Sequence, residues 1–313
     1  MLKYTIRRLL VSIPTLFAVL TIIFIVVRVA PGDPAYAALG DYASEDAVER
    51  LRERLGLDQP LYVQYFQFLT GLLRGDLGHS LITQQPVSEQ IAVVLPYTLQ
   101  LTFAGIIVGI VMGVPLGVVT AVRRNTWADY VGRVFSLAGL SFPIFFLAIL
   151  LIYLFSVKLR LFPALGASDF SDPISNLHHL VLPAFSLGVI MFAYVTRMTR
   201  SALLNVLSDD YIRTARSKGL PERKVLYGHA LRSALVPIVS LVGIFTISLL
   251  GGSVLVEEVF ARPGLGRYMI GAMKQKDYTA LQSIMVIYAV IIILINLATD
   301  LIYGLVDPRI RYD

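Results

Sequence analysis

Six stretches of about 20 mainly apolar residues divide this chain, at roughly Leu9–Val29, Leu99–Ala121, Val134–Val157, Leu177–Met198, Val236–Val256 and Ala280–Leu305. A run of that length crosses the hydrocarbon core of a bilayer as a helix, because lipid offers no partner to an open backbone N–H or C=O. The expectation is therefore an all-α integral membrane protein with six transmembrane helices. Composition agrees: apolar residues make up 56% of the 313 and charged residues 15%, and the mean hydropathy is +0.72. Soluble domains carry about 25% charge. The absence of Cys excludes disulfides and thiolate metal sites. The net charge of +6 is spread along the flanks of apolar runs rather than gathered on a soluble face, which speaks against a nucleic-acid binder. The first run follows Lys3, Arg7 and Arg8 as a signal peptide would, but it is too long for a signal core, and Pro31 and Pro34 crowd the Ala35-Tyr36-Ala37 site. It reads as a retained span.

Lys and Arg accumulate on the cytoplasmic side of membrane proteins. With the N-terminus inside, the inner segments hold 16 of the 27 basic residues and six of the 21 acidic ones. Both termini are then expected in the cytoplasm. The linear divisions expected are a first helix over 1–30, an outer helical insertion over 31–96, a five-helix core over 97–305 with a cytoplasmic loop at 199–235, and a tail over 306–313. In the insertion, Ser44 is an N-cap candidate with Glu45 and Asp46 in the first turn, and Gly56 is a stop. Tyr62, Tyr65, Phe66 and Leu69 are expected to form an apolar stripe.

The inner loop Arg197–Leu235 is too polar to enter the bilayer and carries strong helix signals. Asp209 and Asp210 suit a helix start, Arg213, Arg216 and Lys218 suit its end, and Gly219 suits a stop. Pro221 and Glu222 open a second surface helix, and Pro237 begins the next span. Tyr211, Thr214, Ala215 and Lys218 lie on one side of the first helix. That side fits docking into a groove of a soluble partner and equally fits lying on anionic lipid.

Asp210-Tyr211-Ile212-Arg213-Thr214-Ala215-Arg216-Ser217-Lys218-Gly219-Leu220, followed by Leu231-Arg232-Ser233-Ala234-Leu235-Val236-Pro237, resembles the EAA loop of bacterial ABC-importer permeases. The resemblance is narrower, to the dipeptide/oligopeptide permease family, through Pro31-Gly32-Asp33-Pro34, Leu55-Gly56-Leu57-Asp58-Gln59-Pro60-Leu61, Gly75-Asp76-Leu77-Gly78, Ser141-Phe142-Pro143, Val259-Phe260-Ala261-Arg262-Pro263-Gly264-Leu265-Gly266-Arg267 and Asp307-Pro308-Arg309. It departs from the general pattern where Arg213 and Thr214 replace Glu and Ala, so an acidic contact from that position to an ATPase is not implied. The resemblance implies a type I ABC importer (MetI-like) permease fold in the bacterial inner membrane. It implies a second homologous permease, two ABC ATPase subunits, an outer solute-binding protein and a peptide substrate. The coupling helix would comprise Asp210, Tyr211, Ile212, Arg213, Thr214, Ala215, Arg216, Lys218, Gly219 and Leu220. Glutathione and nickel chelates are alternative cargoes for such a family. A secondary transporter or a membrane enzyme are the alternatives from other classes.

No Gly-Lys dipeptide is present, hence no P-loop, and HExxH and GxSxG are absent. ATP and Mg are therefore expected on partner subunits, with no cofactor or metal held by this chain and no catalytic residue in it. The spans carry almost no ionisable groups along which an ion could drive transport. Asp300 is the exception, and a helix-packing hydrogen bond or water contact is its expected role. His178 and His179 point to different sides of a helix and make a poor metal pair. Gly105, Gly109, Gly113 and Gly117 form a ridge suited to close helix packing, with a bend expected at Pro115. Ser141, Phe142 and Phe145, with Ser248, Gly251 and Gly252, are candidates to line a pore. Glu257, Glu258, Arg262 and Arg267 are candidates for an outer gate or a contact with the delivery protein, and a plain connecting loop is the alternative.

Overall fold

The computed structural model describes residues 2–29, 34–39 and 44–306. The Pro31-Gly32-Asp33 motif, the tail beyond 306 and its Arg309 and Arg311 lie outside the described residues. The regular structure of the described residues is helical, apart from an isolated antiparallel bridge between His79 and Pro86. The helices are α1 (Leu2–Val29), α2 (Pro34–Leu39), α3 (Glu45–Leu55), α4 (Leu61–Leu73), α5 (Val87–Val122), α6 (Trp127–Ser141), α7 (Ile144–Leu151), α8 (Pro173–Leu207), α9 (Asp210–Ser217), α10 (Glu222–Lys224), α11 (Leu231–Val259), α12 (Leu265–Lys274) and α13 (Tyr278–Val306). Among the described residues, five stretches are long and apolar enough to cross a membrane, and the bent pair α6–α7 makes a sixth if it counts as one span.

Three expectations change. The third span is not one helix: α6 and the α7 segment meet at 104°. Pro143 disfavours helical backbone at the residue before it, and Phe142 is extended there, at φ −98° and ψ 132°. Beyond α7 the turns widen into a π-helical stretch over Ile152–Lys158. Pro221 and Glu222 do not open a separate surface helix. α10, a π-helical turn over Val225–Ala230 and α11 run on as one 38-residue helix from Glu222 to Val259. Pro237 therefore lies inside a helix and does not start one. A long apolar helix tolerates the missing N–H because neighbouring turns keep their own bonds and local π adjustments absorb the strain. α5 likewise continues unbroken through Pro115.

The chain divides into two compact units. The first comprises Met1–Arg8, Tyr97–Arg262 and Leu294–Asp313. Its core is organised around α8, where Leu187, Met191, Val195 and Leu203 have no more than trace exposure. The glycine ridge of α5 packs on α8 in register, Gly105 on Leu187, Gly109 on Met191, Gly113 on Val195 and Gly117 on Thr199. A β-carbon at Gly113 would lie 2.9 Å from Val195 Cβ, closer than packed side chains allow, so the four-residue spacing is what admits α8. Asp300 in α13 pairs with Arg8 of α1 at 3.0 Å, a charged contact between helices at hydrogen-bond distance.

The second unit comprises Leu9–Pro96 and Pro263–Ile293. Val87, Ile91, Leu265, Ala272, Ala280 and Ile284 form one core cluster, and Ile23, Val286 and Ala289 another, with Phe68 and Leu72 against it. Asp277 ties the insertion to the start of α13: its carboxylate accepts from Ser80 Oγ at 2.5 Å and from the Leu81 and Ala280 amides. Ser44 and Gly56 bound α3 as expected, Gly56 in the left-handed region at φ +64°, although the Ser44 side chain makes no cap bond. The expected stripe of α4 splits. Tyr65 turns inward to the Thr21 hydroxyl and the Phe24 ring, whereas Tyr62 and Phe66 are 75% and 70% exposed. The inward face belongs to Gln64, Tyr65, Phe68 and Leu72.

Candidate functional site

The loop after α8 contains a two-residue turn and then α9, with Asp209 in extended backbone ahead of it and no side-chain cap. Gly219, at φ +77°, turns the chain after Lys218. That left-handed conformation is cheap only for glycine. Of the eight residues of α9, only Ile212 is buried. Ala215 and Leu220 lean against the same core. Asp210, Tyr211, Arg213, Thr214, Arg216, Ser217, Lys218 and Gly219 are exposed. Tyr211 donates its hydroxyl hydrogen to Ser233 Oγ at 2.9 Å, and Arg216 grips Glu222 through two nitrogens at 3.1 and 2.6 Å. Glu222 holds the Arg216 guanidinium pKa above its usual value, chiefly through those hydrogen bonds. These contacts brace α9 against the start of α10 and α11 and leave a charged surface uncovered.

The pore candidates separate into two environments. On α11, Ser248 and Gly251 are exposed, and with Ile244 and Leu255 they form one uncovered stripe at helical spacing. No atom approaches within 4 Å of where a Gly251 β-carbon would be. Gly252 faces the other way, toward Leu187 and Ile144, and Ser253 is buried with its hydroxyl on the Leu250 carbonyl. Close packing accounts for that pair. At the α6–α7 break, Ser141 donates to the Leu137 carbonyl at 2.9 Å, Phe142 stacks on Phe146 at 5.9 Å between ring centres, and Phe142 and Phe145 are each 46% exposed.

Of the outer candidates, Glu257 and Arg262 have no exposed surface. Thr98 Oγ1 donates to Glu257 Oε1 at 2.7 Å. Arg262 Nη2 donates to Gln100 Oε1 at 2.6 Å, Gln100 Nε2 to Asn176 Oδ1 at 2.5 Å, and Asn176 Nδ2 to the Ser168 carbonyl at 2.8 Å. The guanidinium lies over the Tyr97 ring at 5.4 Å. Burial lowers the Arg262 pKa, opposed by the charge of Glu257. This is an interior polar network joining α5, α8 and the end of α11. Glu258 is half-buried, while Arg267 is exposed beside a hollow that it lines with Pro263, Gly264 and Tyr268. Burial, helped by the charge of Asp277, pushes the Tyr268 hydroxyl up to about 12.

His178 and His179 turn to different carbonyls, those of Leu161 and Ser175. One grouping is not readable from the sequence. Asp129, with no exposed surface, accepts Nε and Nη2 of Arg200 at 2.8 and 2.9 Å, the Asn125 amide at 3.0 Å and Arg133 Nε at 3.2 Å. It locks the first turn of α6 to the last turns of α8, directly upstream of α9. Its only sequence signal is the i,i+4 spacing to Arg133.

Comparison with known proteins accords with this architecture. Residues 113–312 match the family described as binding-protein-dependent transport system inner membrane component, and residues 1–102 match its N-terminal companion. Over the whole length of both chains, the protein is 41% identical to the dipeptide transport system permease protein DppB of Alkalihalophilus pseudofirmus. It is 40% identical, again over both full lengths, to the glutathione transport system permease protein GsiC of Escherichia coli strain K12. A solved structure of the MetNI methionine ABC transporter, in an inward-facing conformation, covers 69% of this chain and 96% of its own at 24% identity, with a TM-score of 0.58. That last likeness concerns the fold alone. The chain therefore belongs to the family of binding-protein-dependent transport system inner membrane components, the permeases of ABC importers, in its dipeptide/oligopeptide branch.

Proposed function

We propose that this chain is one of two related permeases that together enclose a path for short peptides, driven inward by ATP hydrolysis on separate chains. Both termini and α9 face the cytoplasm in this reading, which rests on the concentration of Lys and Arg in those segments. An outer solute-binding protein delivers the cargo. Two ABC ATPase subunits bind ATP and Mg, and each receives a coupling helix. The chain itself holds no cofactor and hydrolyses nothing.

The observation that carries the coupling role is α9, a short helix anchored by buried Ile212 and half-buried Ala215, with its remaining residues exposed. A helix this short is marginal in water without a tertiary anchor. Its anchoring here leaves a shaped, charged surface suited to a groove. Because Ala215 leans on the chain's own core, substituting it would disturb the permease as well as a partner. Thr214, exposed on the same helix, is the cleaner probe. Thr214→Trp should weaken ATPase association by roughly 30-fold, the scale of a central interface residue, with the permease still extracted as a folded species. Unchanged association and undiminished uptake in vesicles would count against the assignment. Ser248 and Gly251 on α11 support a small, mildly polar permeation surface with room for a peptide backbone.

Dipeptides are the favoured cargo, with glutathione as the second reading, on the strength of the DppB and GsiC likenesses. Competition between a dipeptide and glutathione for uptake by the reconstituted transporter separates the two.

A further inference from the structure

A groove of about 340 Å³ runs between α6 and α8 within the first unit. Its walls are Leu137, Leu140 and Thr196, with Arg133, Arg197 and Ser201 also lining it. We propose that this groove binds an anionic phospholipid, with the phosphate on Arg133 and Arg197 and an acyl chain along Leu137 and Leu140.

Three observations converge on that ligand. The first is charge. Arg133, Arg197 and Arg200 all line the groove, and Asp129, the carboxylate that pairs with Arg133 and Arg200, has no exposed surface. Among the described residues no carboxylate pairs with Arg197, whose guanidinium lies 5.4 Å from the Tyr194 ring centre. Three guanidinium groups set against one carboxylate leave the groove with a net positive field. The second is an unmet hydrogen-bonding group. Thr196 is 2% exposed, and its Oγ1 has no partner among the described residues. Such a group costs free energy unless something from outside supplies the bond. The third is the mixed character of the site. An apolar floor beneath guanidinium groups matches a lipid, tail below and phosphate above, whereas a soluble anion has no use for the floor. Basic pockets between membrane helices on the cytoplasmic side suit anionic headgroups, and Arg133, Arg197 and Arg200 belong to the inner basic segments of the orientation proposed above. A lipid held there would brace α6 against α8 next to the Asp129 clamp, immediately upstream of α9.

The test uses the complete transporter in discs of phosphatidylcholine doped with phosphatidylglycerol, with native mass spectrometry counting the lipid retained on the permease chain. Arg197→Gln should lower phosphatidylglycerol retention about five-fold and Arg133→Gln/Arg197→Gln roughly 25-fold, the factors for one and two basic residues at an anionic headgroup. Arg197→Gln leaves the Asp129 clamp intact and keeps the test informative if the double variant misfolds. Arg123→Gln/Arg124→Gln removes equal charge from the nearby loop and should leave retention unchanged. Equal retention in Arg197→Gln, or an equal loss in the Arg123/Arg124 variant, overturns the proposal. So does a photo-crosslinking residue at Leu137 that captures a second permease chain in place of lipid. The readout is independent of transport, so it can fail while the assigned cargo stands.

Discussion

Asp129 and Glu257 are both carboxylates without exposed surface, and each is held by hydrogen bonds from elements remote in sequence. Arg200 lies 71 positions from Asp129 and Thr98 lies 159 from Glu257. A buried ion pair adds little net stability, because desolvation offsets the attraction, but removing one partner strands the other charge. Arg200 and Arg133 keep 21% and 43% of their side-chain surface exposed, so Asp129→Ala should lower the stability of the detergent-solubilised complex by about 1.5–3 kcal/mol, the scale of hydrogen bonds to a charged group, read as a fall in its unfolding midpoint. Arg213 and Asp210, with 73% and 96% of their side-chain surface exposed, pair at 3.5 Å, so Asp210→Ala should leave that midpoint in place, as surface pairs do. An unchanged midpoint in Asp129→Ala as well would mean that Asp129 acts as a surface charge. Its i,i+4 relation to Arg133 is written in the chain. Its main partner is not, since nothing local sets Arg200 against it.

At the scale of elements, the glycines of α5 and α11 look alike in sequence and behave differently once packed. Gly113 meets Val195 and the Phe192 carbonyl, whereas Gly251 meets nothing. Gly113→Leu should force α5 and α8 apart, costing about 1–3 kcal/mol or more for an overpacked contact, and should reduce the yield of monodisperse protein. Gly251→Leu should leave that yield unchanged and lower peptide uptake, because its side chain would project from the uncovered stripe of α11. Normal uptake in that variant would remove α11 from the permeation surface. The α6–α7 break makes the complementary point. Ser141-Phe142-Pro143 is legible as a helix boundary, since the residue before proline resists helical backbone. The apolar run that continues across it hides the boundary from any reading by hydropathy alone. The angle of 104° depends on what each half packs against.

For the whole molecule, the long apolar helices carry few charges, and those with partners are spoken for: Arg8 and Asp300 pair with each other, and Asp129 with two arginines. Such a chain has little with which to relay an ion. Reconstituted uptake should accordingly survive collapse of the proton gradient while ATP persists, and stop when ATP is withdrawn. Uptake that follows the gradient would return the protein to the secondary-transporter class.

Hydrophobic run length and the Lys/Arg distribution were sufficient to establish a multi-span helical membrane protein, because the bilayer penalises every unpaired backbone group and admits few alternatives. Dipole-matched ends and a left-handed glycine were sufficient to place α9, since those effects act within a turn of the helix. Only the tertiary structure decided that Glu222–Val259 is one helix, that Gly252 packs while Gly251 lies open, and that Glu257 and Arg262 are interior. Each of those outcomes depends on which remote segment covers a given face, a choice made by packing between elements and not by any local preference of the chain.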